Sequence, residues 1–303
     1  MGISQKTIDR LLRAVVDIFT CKMYWTPPAV GLPLGRMLGF LACAADGHHR
    51  RIARANLKFA FGDSKSDREI DRLVYQNFMQ WGMIAYEWGR MRFFGRYPQG
   101  RLPAAVEISG ASHLRKAKEK SPAVLLLSAH FGNWEYGHMH YAGTINALNF
   151  IVRRIDDPYV EKLRVAVNQH HGVTILYKEK GLKAAIKHLK KGEDLVIFAD
   201  QKANVKEGIQ CRFFGRQTMT LPIVAALAQK YHYPIVPMFV VRNKNKASHK
   251  IVFLPELTID DKDTVETITQ RQNDIIETMI RRHPDHWLWM HRKWKTEYPE
   301  IYR

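Results

Sequence analysis

The sequence predicts an α/β protein: a mixed, mostly parallel central sheet flanked by helices, with a helical N-terminal region ahead of it. Three observations carry this expectation. From about Ala105 onward, short apolar runs alternate with stretches of helical periodicity, the pattern of strands joined by helical crossovers. The first hundred residues show helical spacing. Between them Gly95 to Pro103 is rich in Gly, Pro and Arg, which divides the chain into residues 1–100 and 101–303.

In chain order, Ile8, Leu11, Leu12, Val15, Val16 and Phe19 recur at helical spacing and predict an amphipathic N-terminal helix. Ala29 to Ala45 is the most apolar region, but Pro33, Arg36 and three glycines interrupt it, so whether it spans or lies on a membrane is open. Core packing is the usual fate of such stripes. Here the aromatic KMYW and the basic HHRRIARANLK (His48 to Lys58) favour a membrane surface. Ser66 to Arg92 reads as a long helix, opened by a Ser66–Glu69 capping box. VEIS (Val106 to Ser109) then precedes a helix near His113 to Glu119, and AVLLLS one near Asn133 to Ala142. LNFIV (Leu148 to Val152) precedes Pro158 to His170, and a helix over Gly181 to Lys191 precedes DLVIFA (Asp194 to Ala199). PIVPMFVV and KIVFLPEL follow, then a long helix from about Thr264 to Arg282. The start, MGISQKTIDR, has neither a continuous apolar stretch nor a small-residue cleavage site, so no secretory signal is expected.

Lys and Arg total 47 against 29 Asp and Glu, a net charge of +18 that calls for an anionic partner. Nucleic acid, an anionic membrane, and an acidic carrier protein or phosphorylated substrate all fit. Seven tryptophans and eleven methionines favour an apolar or membrane-linked ligand. The three cysteines, Cys21, Cys43 and Cys211, are scattered without a CxxC pair and read as reduced packing residues. No GxSxG, GxxxxGK[ST], GxGxxG or HExxH pattern occurs, which removes the usual serine-hydrolase, nucleotide and zinc-protease motifs.

The stretch SAHFGNWEYG ends a buried strand on His130 and turns through Gly132 towards Glu135. A histidine there, backed by a carboxylate, suits a general base; by spacing alone a packing histidine is the commoner case. Asp200, followed by Gln201, ends LVIFA and either orients His130 or caps the next element. Both residues fall at carboxyl ends of strands, where open α/β sheets gather their chemistry. Arg153 and Arg154 end LNFIV and could grip a phosphate or form a solvated basic edge. GIQCRFFGRQTMTLP (Gly208 to Pro222), with Arg212 and Arg216, reads as a loop beside an apolar channel. WLWMHRKWK (Trp287 to Lys295) could stack on nucleic acid, anchor at a membrane interface, or dock the C-terminus.

Six blocks in the same order resemble the bacterial lipid A biosynthesis acyltransferases, within the lysophospholipid acyltransferase superfamily: RRIARANLKFAF, SAHFGNWE, FIVRRIDDPYVEKL, GLKAAIKHLKKGEDLVIFADQ, the FFG..T..LP segment and WLWMHRKWK. The resemblance implies a glycerolipid acyltransferase-like fold and acyl transfer from an acyl carrier protein thioester to a hydroxyl of a lipid A precursor. The place implied is the cytoplasmic face of the bacterial inner membrane. His130 would be the general base, with Glu135 as its carboxylate partner and Asp200 in support. Asn133, Arg153, Gln201 and Arg212 would contact substrate. It implies no metal, no cofactor and no nucleic acid. A related acyltransferase acting on another lipid (phospholipid, ornithine lipid or phosphatidylinositol mannoside), with acyl-CoA or acyl carrier protein as donor, is the nearest alternative; a basic nucleic-acid-binding protein is the alternative from another class.

Overall fold

The computed structural model describes residues 5–91, 96–99, 102, 105–243 and 248–303. The boundary expected over Gly95 to Pro103 falls partly outside these residues, and the side chains of Ile8, Leu11, Leu12, Val15 and Val16 lie outside them. The N-terminal region is helical: α1 (Gln5–Trp25), α2 (Pro28–Ala45), α3 (Gly47–Phe61) and α4 (Asp67–Met91). Ser66 and Glu69 exchange the hydrogen bonds of a capping box at the start of α4, with the Ser66 N–H and hydroxyl both donating to the Glu69 carboxylate.

Strand–helix alternation then runs through β1 (Val106–Ser109), α5 (Ala111–Lys120), β2 (Leu125–Ser128), α6 (Trp134–Thr144), β3 (Leu148–Val152), α7 (Pro158–His170), β4 (Val173–Tyr177), α8 (Lys178–Leu189) and β5 (Asp194–Phe198). An antiparallel hairpin, β6 (Ile209–Phe213) and β7 (Arg216–Thr220), comes next. The chain closes with α9 (Ile223–Tyr231), β8 (Ile235–Arg242), β9 (His249–Phe253) and α10 (Val265–Arg282). The main sheet has seven strands in the order β1-β9-β8-β2-β5-β3-β4. The five from β8 to β4 are parallel; β9 runs antiparallel to β8, and β1 parallel to β9. The expected mixed, mostly parallel sheet is therefore present.

Both faces of this sheet are buried, which is why its central strands read as unbroken apolar runs rather than alternating ones. Leu125 and Leu127 of β2 pack into one core with α3, α4, α8, α9 and α10; Val124 and Leu126 pack into the other with α5 and α6. The segment expected to be a loop at Gly208 to Pro222 is the β6–β7 hairpin, whose Cys211 and Phe213 face inward. Its Arg212 backbone N–H and carbonyl are both bound by Gln270 of α10.

The glycines that break the apolar run of α2 have a structural use. Gly31, Gly35 and Gly39 recur every fourth residue, forming one buried stripe against α4. A Cβ on Gly35 would strike the Gly82 carbonyl, and a Cβ on Gly82 would strike that of Gly35. Close backbone approach through small residues is how apolar helices pack where no hydrophobic gradient separates them from their surroundings. Away from this stripe α2 exposes Val30, Met37, Phe40 and Leu41. At 18 residues, α2 is also long and apolar enough to cross a membrane.

Two outcomes follow from this packing. Gly82→Val should separate α2 from α4, costing several kcal/mol as overpacking does, and limited proteolysis should then cut near α2; an unchanged melting curve and cleavage pattern would refute the close-contact role. His138 of α6 is fully buried between Phe150 and Phe198, neither ring nitrogen has a hydrogen-bond partner, and burial lowers its pKa to about 3. Between about pH 6.5 and 3 the unfolded chain binds a proton here that the folded chain refuses, so stability falls as pH falls, by up to about 1.4 kcal/mol per unit. His138→Phe should flatten that acid limb in denaturant titrations.

Candidate active site

Sheet register brings the central pair together. Ser128 of β2 lies opposite Phe198 of β5 in the parallel ladder, so the residues two places beyond each strand, His130 and Asp200, meet at the same edge. His130 Nδ1 lies 3.0 Å from Asp200 Oδ1, and the His130 backbone N–H donates to Oδ2 at 3.1 Å. Trp287 Nε1–H donates to the same Oδ2 at 2.8 Å. The Asp200 side chain is 1% exposed and that of His130 23%. Burial works to raise the Asp200 pKa, but the His130 charge and the hydrogen bonds from His130 and Trp287 outweigh it and hold the carboxyl below its ordinary value.

The turn after β2 fixes the imidazole. Gly132 has a positive φ of 60°, and a Cβ there would strike the Val240 carbonyl oxygen, so this position needs glycine. The Gly132 N–H donates to the His286 carbonyl, and the Leu288 N–H to the His130 carbonyl. The C-terminal segment thus pairs with the turn like a short strand, which delivers Trp287 to Asp200. Phe198 and Trp134 meet the His130 ring edge-on at centroid distances of 4.7 and 5.3 Å. With Nδ1–H donating to Asp200, Nε2 is the basic nitrogen, and the Gln201 amide nitrogen stands 3.3 Å from it.

The carboxylate partner of the imidazole is therefore Asp200, where Glu135 was expected. Glu135, in the first turn of α6, accepts from Asn168 Nδ2 at 3.1 Å instead, and burial raises its pKa. It lines an apolar cavity of about 350 Å³ together with Phe19, Trp81, Ile84, Trp88 and Trp134. A second cavity of similar size, between α1, α2 and α4, shares Phe19, Trp81 and Ala85 with it. Asn133 is buried with both polar ends engaged: Oδ1 caps α6 at the Tyr136 N–H, and Nδ2 donates to Glu87. Arg153 lies at the same sheet edge, beyond β3, but its side chain is 79% exposed and pairs with Asp156 at 2.8 Å. Arg212 sits on the outward face of β6. Of the expected substrate contacts, Gln201 is the one that meets His130.

Two participants went unforeseen. Trp287, fully buried, lies in the aromatic C-terminal stretch, but nothing in that stretch singles it out. Trp287, Trp289 and Trp294 are all buried, so these rings dock the C-terminus and are not offered to nucleic acid bases. Lys293 is also fully buried, donates from Nζ to the Gln201 carbonyl at 3.3 Å, and has its pKa lowered by burial to about 8.

Among curated proteins, the chain is 26% identical over 264 residues to the lipid A biosynthesis lauroyltransferase of Escherichia coli K12, covering 87% of this chain and 84% of that one. It is 24% identical to the palmitoleoyltransferase of the same organism over the same shares, and 21% identical to its myristoyltransferase over 90% and 84%. Among solved structures, it is similar to the 1-acyl-sn-glycerophosphate acyltransferase of Thermotoga maritima, with 14% identity, a TM-score of 0.39, and coverage of 83% and 97%. The model of the bacterial lipid A biosynthesis acyltransferase family matches residues 6–296. With 291 of its 303 residues inside that match, the chain belongs to this family and is an acyltransferase.

Proposed function

We propose that this enzyme moves a fatty acyl chain from an acyl carrier protein thioester to a hydroxyl of a lipid A precursor, with His130 as general base. The observation that carries the reading is the imidazole at the strand end, tethered through Nδ1 to a buried carboxylate and backed by an apolar cavity. Nε2 takes the acceptor hydroxyl proton as the oxygen attacks the thioester carbonyl. The tetrahedral intermediate collapses, the carbon–sulfur bond breaks, and the imidazolium returns the proton to the departing sulfur. Asp200 holds the tautomer that leaves Nε2 unprotonated and stabilises the imidazolium between the two transfers, while Gln201 is placed to contact whatever occupies Nε2.

The acyl chain lies in the adjoining apolar cavities between α1, α2 and α4, with Glu135 at the end nearest His130. Arg153, one strand further along the same edge, is free to exchange Asp156 for an anionic group of the acceptor or carrier. The basic surface suits an acidic carrier protein and a phosphorylated lipid. Residues 1–100 serve as the membrane-associating region and 101–303 as the catalytic domain, working at the cytoplasmic face of the inner membrane.

His130→Ala should lower turnover by about 10²–10⁴-fold, the usual range for a lost general base, in protein that circular dichroism shows to be folded, with some loss of stability because Asp200 keeps one donor fewer. Near wild-type turnover on acyl carrier protein and lipid A precursor would end the mechanism. Asp200→Asn, which leaves the imidazole without its negative partner, should reduce kcat by about 10²-fold or more. Glu135→Gln should act more weakly, chiefly through the KM for the acyl donor. A collapse of kcat in Glu135→Gln with an active Asp200→Asn would reverse the two roles.

A further inference from the structure

A larger cavity, of about 870 Å³, opens between α2, α4 and the end of α10. It shares a wall with the site just described: His286 lines the cavity, its carbonyl holds the Gly132 N–H, and the next residue is Trp287. Arg36 of α2 and Arg282 of α10 line it, and neither has an ion pair among the described residues. At its inner end lies Gln80, 2% exposed. The Gln80 Oε1 accepts from Arg242 Nε at 3.3 Å, while its Nε2, a buried donor, has no acceptor. Arg242 itself is neutralised by Glu87 through two hydrogen bonds of 2.6 and 2.5 Å. The carboxylate in the lining, Asp285, accepts from His286 Nδ1.

Two exposed guanidiniums without an ion pair and one unmet buried amide donor line the same space, a set suited to an anion with several acceptor oxygens. A buried donor without an acceptor is destabilising, and arginines favour phosphate because several oxygens can be met at once. Leu32, Met79 and Met83 add apolar wall, and Gln76 and His283 line the cavity as well. The cavity also borders the helix that exposes Val30, Met37, Phe40 and Leu41 to the surroundings, an apolar setting suited to an anion that carries a hydrocarbon chain.

We infer that this cavity binds the phosphate-bearing head group of a membrane lipid, through Arg36, Arg282 and the Gln80 amide, at a site separate from His130. Binding needs no acyl donor and no turnover, so it can be read independently of the acyl-transfer reading.

The test titrates lysophosphatidylglycerol into the full chain in an uncharged maltoside detergent and follows tryptophan fluorescence. Inorganic phosphate and an uncharged monoacyl galactolipid serve as the two separated halves of the ligand. Saturable binding of the phospholipid is expected, at least tenfold tighter than either half. The Arg36→Ala/Arg282→Ala variant should weaken it about tenfold or more, since it removes the charge-assisted hydrogen bonds to the phosphate. Gln80→Met, which alters no charge, should weaken it severalfold. Arg115→Ala/Lys116→Ala, removing two exposed charges from α5, should leave it unchanged.

Wild-type affinity in the Arg36/Arg282 variant overturns the site, as does an equal loss in the α5 variant, which would mean long-range attraction alone. Wild-type affinity in a folded Gln80→Met removes the amide from it, and phosphate binding as tightly as the phospholipid replaces the lipid with a free anion. If the arginine variant also raises the KM for the acceptor at constant kcat, the bound lipid is the acceptor; an unchanged KM makes it a second lipid of the same chemistry.

Discussion

The structure turns on one buried negative charge. Asp200 lies under His130 with 1% of its side chain exposed, and a carboxylate so placed stays ionised only where donors surround it. Its donors are the imidazole and backbone N–H of His130, after β2, and the indole N–H of Trp287. Parallel register supplies the first pair; the docked C-terminus supplies the third. A shift of one residue between β2 and β5 would turn one of the two side chains to the opposite face of the sheet.

The same C-terminal segment ties the N-terminal helices to the sheet. Asn56 of α3 donates to the carbonyls of Trp289 and His291, and Asn77 of α4 to those of Asp285 and Trp287. Each buried amide therefore satisfies two carbonyls of a segment that lacks a full ladder of its own. Glu87 of α4 adds a charged clasp, binding Arg242, His249 and Asn133. Burial alone would raise the Glu87 pKa, but the charges of His249 and Arg242 lower it well below the usual range. Through Asn133, this clasp also seats the first turn of α6, next to the histidine. The helices that carry the apolar outer face are thus joined to the catalytic edge by buried polar contacts, and their orientation constrains the imidazole.

Much of the framework was legible in the sequence because it rests on local patterns. LNFIV and Pro158 to His170 match β3 and α7 to the residue, since both are bounded by clear turn and capping signals. The β6–β7 hairpin was missed although β6, IQCRF, alternates apolar and polar residues: β7, RQTMT, is mostly polar, and the turn is Phe214–Gly215, with φ at 52° and 71°, rather than an Asn-Gly pair. The α2 glycines looked like interruptions because a sequence shows that a residue is small but not what approaches it.

Sequence by itself determined the fold class, the strand-end placement of His130 and Asp200, and the acyltransferase family, because each depends on short-range periodicity or on motifs in fixed order. Which carboxylate meets the imidazole was decided only by tertiary structure. Glu135 is five residues from His130 and Asp200 seventy, yet the Gly132 turn and the start of α6 direct Glu135 towards Asn168, while parallel pairing sets Asp200 beside the ring. Contact between strands depends on register, which a linear spacing does not contain.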